Sequence, residues 1–147
     1  MTSGDASTPI VVVRDRFRVT MCDTDAARLI YFGAPARWAE RLLTTWLADV
    51  GCPLSKSLDS GFGDPVVHAE MTYHSPLRLD DEVNATLSLI RRTERSLTFH
   101  CGFGLGSGPA TAVEVRLTKV HVRFGPDGAE AVPLAGPLLD ALVAAAG

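Results

Sequence analysis

Apolar side chains recur at every second residue along most of this chain, and at helical spacing in one long stretch. From Val13 to Met21, Val13, Phe17, Val19 and Met21 oppose Arg14, Arg16, Arg18 and Thr20, which predicts a half-buried strand. From about Ala34 to Val50, Ala39, Leu42, Leu43, Trp46, Leu47 and Val50 form the broad apolar stripe of a helix lying on a core. Gly33 is an acceptable cap, and Pro35 suits the first turn, where its missing N–H costs nothing. Gly51 and Pro53 stop the helix. A Gly- and Ser-rich loop is expected over residues 55–64. Four alternating strands then follow: Val67 to Tyr73, Val83 to Leu89, Leu97 to Leu105, and about Ala112 to Phe124. In the last, the apolar phase moves from Val113, Val115 and Leu117 to Val120, Val122 and Phe124, which predicts a β-bulge. Gly125 to Gly128 predicts a turn, and Pro137 to Ala146 a short apolar helix.

One strand, a long helix and four consecutive strands predict an α+β fold, with an antiparallel five-stranded sheet wrapped around the helix. Residues 9–147 are expected to form a single domain, and residues 1–8 a flexible tail. Exposed edge strands invite pairing with a second copy, so a homodimer or homotetramer is expected.

Composition narrows the partners. The 147 residues carry 14 basic and 17 acidic side chains without a long basic run, so no nucleic-acid partner is expected. No apolar run approaches the ~20 residues that span a bilayer, and the first residues lack the features of a signal peptide, so no membrane partner is expected either. Cys22, Cys52 and Cys101 have no metal-type spacing and read as reduced thiols of a cytoplasmic protein. His68, Glu70 and His74 share one strand face, but the two histidines lie roughly 20 Å apart along it and cannot share an ion. No metal site is expected.

The segment from Thr20 to Arg41 concentrates the candidate chemistry. Asp23 and Asp25 stand where the first strand gives way to a turn, shortly before the long helix. Aspartates commonly brace turns by accepting nearby backbone N–H groups. An apolar strand followed by D-x-D also opens one class of phosphatases, but that fold needs alternating strands and helices, which the four consecutive strands here exclude. A third reading is acyl transfer: a carboxylate supplies a base or nucleophile, and the helix N-terminus supplies free N–H donors and partial positive charge.

Asp23, Asp25, Tyr31 and Phe32, followed by a helix with Arg37, Trp38, Glu40 and Arg41, resemble the hotdog-fold acyl-CoA thioesterases of the 4-hydroxybenzoyl-CoA thioesterase type. His68 to Val83 resembles that family's second strand and the turn after it. The resemblance covers roughly Phe17 to Phe124. It implies thioester hydrolysis with Asp25 as the catalytic carboxylate, and an oxyanion site at the backbone amides of Phe32 and Gly33. Asp23 and Glu40 are expected to support the active turn. Tyr31, Arg91, Arg92, Arg95 and Ser96 are expected to bind the acyl-CoA, the last four at its phosphates, although Thr93 and Glu94 interrupt the basic run. Phe32 resembles the aromatic residue of the hydroxybenzoyl branch and favours an aromatic acyl group. Coenzyme A enters as part of the substrate, and no separate cofactor is expected. The departure is Arg28, where many relatives carry glycine. Two alternatives share these residues: a non-catalytic acyl-thioester-binding module, and a thioesterase acting on an acyl carrier protein.

Overall fold

The computed structural model describes residues 10–146, so the tail predicted over residues 1–8 lies outside the described residues. The elements are β1 (Ile10–Arg18), α1 (Ala34–Asp49), α2 (Leu54–Asp59), β2 (Phe62–Gly63), β3 (Val66–Tyr73), β4 (Glu82–Arg92), β5 (Ser96–Leu105), β6 (Val113–Val120), β7 (Val122–Gly125), β8 (Gly128–Ala131) and α3 (Gly136–Ala146). Five strands form one sheet in the order β1-β4-β5-β6-β3, and β2-β7-β8 form a smaller one. Every pairing in the large sheet is antiparallel. This is the hotdog architecture, with α1 as the filling.

The stripe predicted on α1 is the buried one. Trp38, Ala39, Leu42, Leu43, Trp46 and Leu47 pack with Val83, Ala85 and Leu87 of β4, Phe99, Cys101 and Phe103 of β5, and Val113, Val115 and Leu117 of β6 in one cluster. Trp38 meets Phe17 and Phe103 edge-on, with ring centres 4.9 and 5.2 Å apart, and Trp46 meets Phe99 at 5.7 Å. Each buried side chain of this size contributes about 1.5–3 kcal/mol, so the aromatic knot fixes where α1 begins relative to the sheet. Leu138, Ala141 and Leu142 of α3 join the same cluster. No helix among the described residues is long and apolar enough to cross a membrane.

Several expectations are corrected. The first strand ends at Arg18, and Met21, expected inward, is 79 % exposed on a single 3-10 turn, Met21–Asp23. The cause is local: the Asp23 carboxylate accepts from the Thr20 backbone N–H and hydroxyl, both at 2.9 Å, so that amide is taken from any strand ladder. Residues 55–64 are not a loop but hold most of α2 and all of β2. The phase change after Leu117 is not a bulge: the chain breaks at His121 and crosses from the large sheet to the small one. At that crossing His121 is fully buried, stacked on Phe62 with Nδ1 2.8 Å from Asp64. Leu105, expected inward, is exposed at the end of β5.

The edge strand β3 differs from its neighbours. Val67, Ala69, Met71 and Tyr73 alternate as expected, yet only Met71 is even half-buried. The side of β3 meant for the core lies bare.

Candidate active site

The two arms of a small hairpin carry the acidic motif and the entry to α1. The Asp25 N–H donates to the Leu29 carbonyl, the Tyr31 N–H donates to the Asp23 carbonyl, and Thr24 bridges Ile30. At the tip, the Arg28 N–H donates to the Asp25 carbonyl at 2.9 Å, closing a turn through Ala26 and Ala27. A three-residue hairpin loop of this kind needs its last residue in the left-handed region, where glycine is normal. Arg28 occupies that region at φ +65°. An arginine thus holds a turn position for which glycine is the ordinary residue. The second arm is clamped from its other side, with Ile30 N–H on the Leu77 carbonyl and Leu79 N–H on the Arg28 carbonyl.

The two aspartates are separated by environment. Asp23 is buried and fully engaged: Oδ2 accepts twice from Thr20, and Oδ1 accepts from Trp38 Nε1 at 3.1 Å. Burial pushes its carboxyl up, but the Thr20 amide, the Trp38 indole, the Thr20 hydroxyl and the charge of Arg37 outweigh that and hold it below the ordinary range. It stays ionised and ties the hairpin to Trp38 in the second turn of α1. Asp25 is exposed; Oδ1 accepts from Ala27 N–H at 2.8 Å, and Oδ2 has no partner among the described residues. One oxygen orients the carboxylate while the other remains available.

The helix entry is correspondingly open. Gly33 caps α1 with no side-chain hydrogen bond, and the first turn holds no acidic residue. The flanking amides of Tyr31 and Ala34 are bonded, to Asp23 and Tyr31 carbonyls, whereas those of Phe32 and Gly33 donate to no acceptor among the described residues. Leu29 faces Asp25, so the chain from there to Phe32 can span at most about 10 Å. Gly33 is bare for a reason: a Cβ there would lie 2.9 Å from the Tyr31 ring, whose hydroxyl accepts from Arg37 at 2.8 Å. Tyr31 therefore packs over the helix entry. Glu40 lies exposed on α1 and pairs with neither Arg37 nor Arg41.

The arginine turn is elsewhere. β4 runs from Glu82, beside Arg18 and the hairpin, to Arg92, so Arg91, Arg92, Arg95 and Ser96 lie at the opposite end of the sheet. Eleven extended residues place them on the order of 30 Å from Asp25. Arg91, Arg92 and Arg95 are exposed; Arg95 also donates to the Ala131 carbonyl, and the Ser96 hydroxyl bonds that of Thr93 within the turn. One chain does not bring these residues to the aspartate.

Two features escaped the sequence reading. The Trp38–Asp23 bond was legible only as a buried indole in need of an acceptor. Tyr73, at the end of β3, donates its hydroxyl to the Phe32 carbonyl across 41 positions, and no sequence pattern announces that contact. Elsewhere, His68 pairs with Glu70, and His74 with Glu114, which His100 also bonds; no group of three such side chains among the described residues has metal-site geometry.

Residues 19–130 match the model of the thioesterase-like superfamily. The chain is 27 % identical over 124 residues to a 1,4-dihydroxy-2-naphthoyl-CoA hydrolase of Rippkaea orientalis, covering 82 % of this chain and 88 % of that one. Among solved structures it is similar to a 1,4-dihydroxy-2-naphthoyl-CoA thioesterase from Synechocystis, with a TM-score of 0.79, 18 % identity and coverage of 92 % and 96 %. It is also similar to a gentisyl-coenzyme A thioesterase, with a TM-score of 0.74, 22 % identity and coverage of 86 % and 99 %.

Proposed function

The chain belongs to the thioesterase-like superfamily, and from that premise we propose that it hydrolyses an aromatic acyl-coenzyme A to the free acid and coenzyme A. The observation that carries the reading is the pairing of an oriented carboxylate, with one oxygen unused, and two unused amides at the uncapped N-terminus of α1. Asp25 attacks the thioester carbonyl, or takes a proton from the water that does. Negative charge then develops on the carbonyl oxygen, and the Phe32 and Gly33 amides are the donors for it. A preorganised donor of this kind is worth about 3 kcal/mol in the transition state. Collapse expels the coenzyme A thiolate, a good leaving group that needs little acid assistance; where Asp25 is the nucleophile, water then cleaves the acyl–Asp25 anhydride to release the acid and restore the carboxylate. The aromatic acyl group rests on Phe32 and on the substrates named for the similar proteins.

The working unit in this reading is a dimer. β3 is one of two free edges, with Val66, Val67 and Tyr73 exposed along it. Antiparallel pairing of two β3 edges about a twofold axis sets the hairpin end of one sheet beside the arginine-turn end of the other. Asp25 of one protomer and Arg91, Arg92, Arg95 and Ser96 of its partner then serve one substrate.

Asp25→Asn tests the chemistry. It is expected to keep the fold and the oligomeric state while turnover of a panel of aromatic acyl-CoAs falls at least about 100-fold. Turnover like that of the wild type would remove Asp25 from the mechanism. In a single turnover in oxygen-18 water, label retained in Asp25 marks the nucleophilic route.

A further inference from the structure

We propose that Tyr73 is a positioning residue for the oxyanion site: its hydroxyl holds the Phe32–Gly33 peptide so that the Gly33 N–H stays aimed at the reacting carbonyl oxygen. The inference rests on the hydrolase reading above and extends it to a residue of the edge strand.

Tyr73 Oη donates to the Phe32 carbonyl. That carbonyl and the Gly33 N–H belong to one rigid planar unit, and no cis bond occurs among the described residues. In a trans peptide the two groups point in opposite directions, so fixing the oxygen fixes the N–H. The bond matters because the peptide has little else to hold it. No other donor reaches the Phe32 carbonyl among the described residues, and the neighbouring residue is a glycine, the residue with the least intrinsic restraint. The Tyr31 ring packs against Gly33 but bonds neither group of the peptide. A hydrogen bond accepted by a carbonyl also polarises its peptide and strengthens the N–H as a donor, by roughly 10–30 %.

Packing within one chain leaves Tyr73 half exposed, at 45 %. Its other polar neighbour is Met71 Sδ at 3.6 Å, a weak acceptor, so the single hydroxyl proton has its better acceptor at Phe32. Burial of part of the ring pushes the hydroxyl above its ordinary pKa, so it remains a donor throughout the neutral range.

Tyr73→Phe deletes the hydroxyl and keeps the ring. The expected result is a fall in kcat of about tenfold, a KM changed less than twofold, and an unchanged melting point and oligomeric state, since the lost interaction acts in the transition state. Tyr73→Leu should lose about the same kcat. If Tyr73→Phe keeps wild-type kcat, or raises KM at constant kcat, the proposal is overturned and the side chain packs or binds instead. Should Tyr73→Phe disturb the dimer, 3-fluorotyrosine at position 73 supplies the readout: the more acidic hydroxyl should raise kcat, and an unchanged kcat would overturn the proposal. Failure here leaves Asp25 untouched, because the hydrolase reading is decided by Asp25→Asn.

Discussion

The two ends of the five-stranded sheet are built to opposite plans. At the hairpin end, three backbone segments, 23–25, 28–31 and 77–79, are laced together, and the buried Asp23 ties them to Trp38. At the other end, the turn from Arg91 to Ser96 projects exposed cations over a second, smaller sheet, with Arg95 and His121 as its links to that sheet. The first end suits a reaction, which needs groups held in place; the second suits recognition of charged phosphates, which tolerates movement. One chain keeps them a sheet's length apart, so in the dimer proposed above each site would draw its two ends from different protomers.

The largest expected effect tests that division. Asp25→Asn chains and Arg91→Ala, Arg92→Ala chains should each be crippled alone, the second through a KM for acyl-CoA raised at least about tenfold. Mixed after dissociation, they should recover activity, because one of the two sites in a mixed dimer then holds an intact Asp25 and an intact turn. Mixtures no more active than their components would place both ends of the site in one chain. A short thioester without the nucleotide should be hydrolysed equally by the double-arginine variant and the wild type.

The hairpin end predicts a stability effect next in size. Asp23→Ala leaves the buried Trp38 indole without its acceptor and removes both bonds from Thr20, at a cost of about 3 kcal/mol. For a chain of this length that is a melting point lower by roughly 10 °C. The pH dependence follows from the lowered folded pKa. The stabilising contribution of Asp23 is fully present above the ordinary carboxylate value near 3.8 and is lost as pH falls through the lower folded value. Urea unfolding of wild type and Asp23→Asn should therefore diverge at pH 7, begin to converge as pH falls below 3.8 and meet only below the lower folded value. A gap that persisted in acid would mean that Asp23 acts by shape and not by charge.

How far the sequence could be read tracks how local each cause is. The stripe on α1 and the alternation in β4 and β5 are repeated along each element, so the helix and the sheet core were legible. The exit of β1 was misread because two bonds from Thr20 to one carboxylate override the alternation that continues through Met21. The shift at His121 was seen but attributed to a bulge, because a strand that changes sheets and a strand with one extra residue have the same apolar phase. At the site, the D-x-D spacing and the resemblance singled out the two aspartates, and the structure gives them different surroundings. Tyr73 was illegible because its partner is a backbone carbonyl, which leaves no trace in residue type. The bare inner side of β3 was likewise invisible: a strand covered by its own helix and one awaiting a partner alternate alike.

The smallest expected effect asks what the hairpin end gives up for its arginine. A non-glycine residue in the left-handed region costs about 1–2 kcal/mol, and glycine returns about 0.5–1 kcal/mol of that as unfolded-chain entropy. Arg28→Gly should therefore raise the unfolding free energy by about 0.5–1 kcal/mol, readable as a higher urea midpoint at constant slope. If the guanidinium points into solvent, kcat and KM stay as they are, and the strain is merely tolerated by a tip clamped on both sides. If turnover of an acyl group bearing an acidic substituent falls while that of a neutral one holds, the strain keeps a cation three residues from Asp25 for that acid, and the hairpin end recognises as well as reacts.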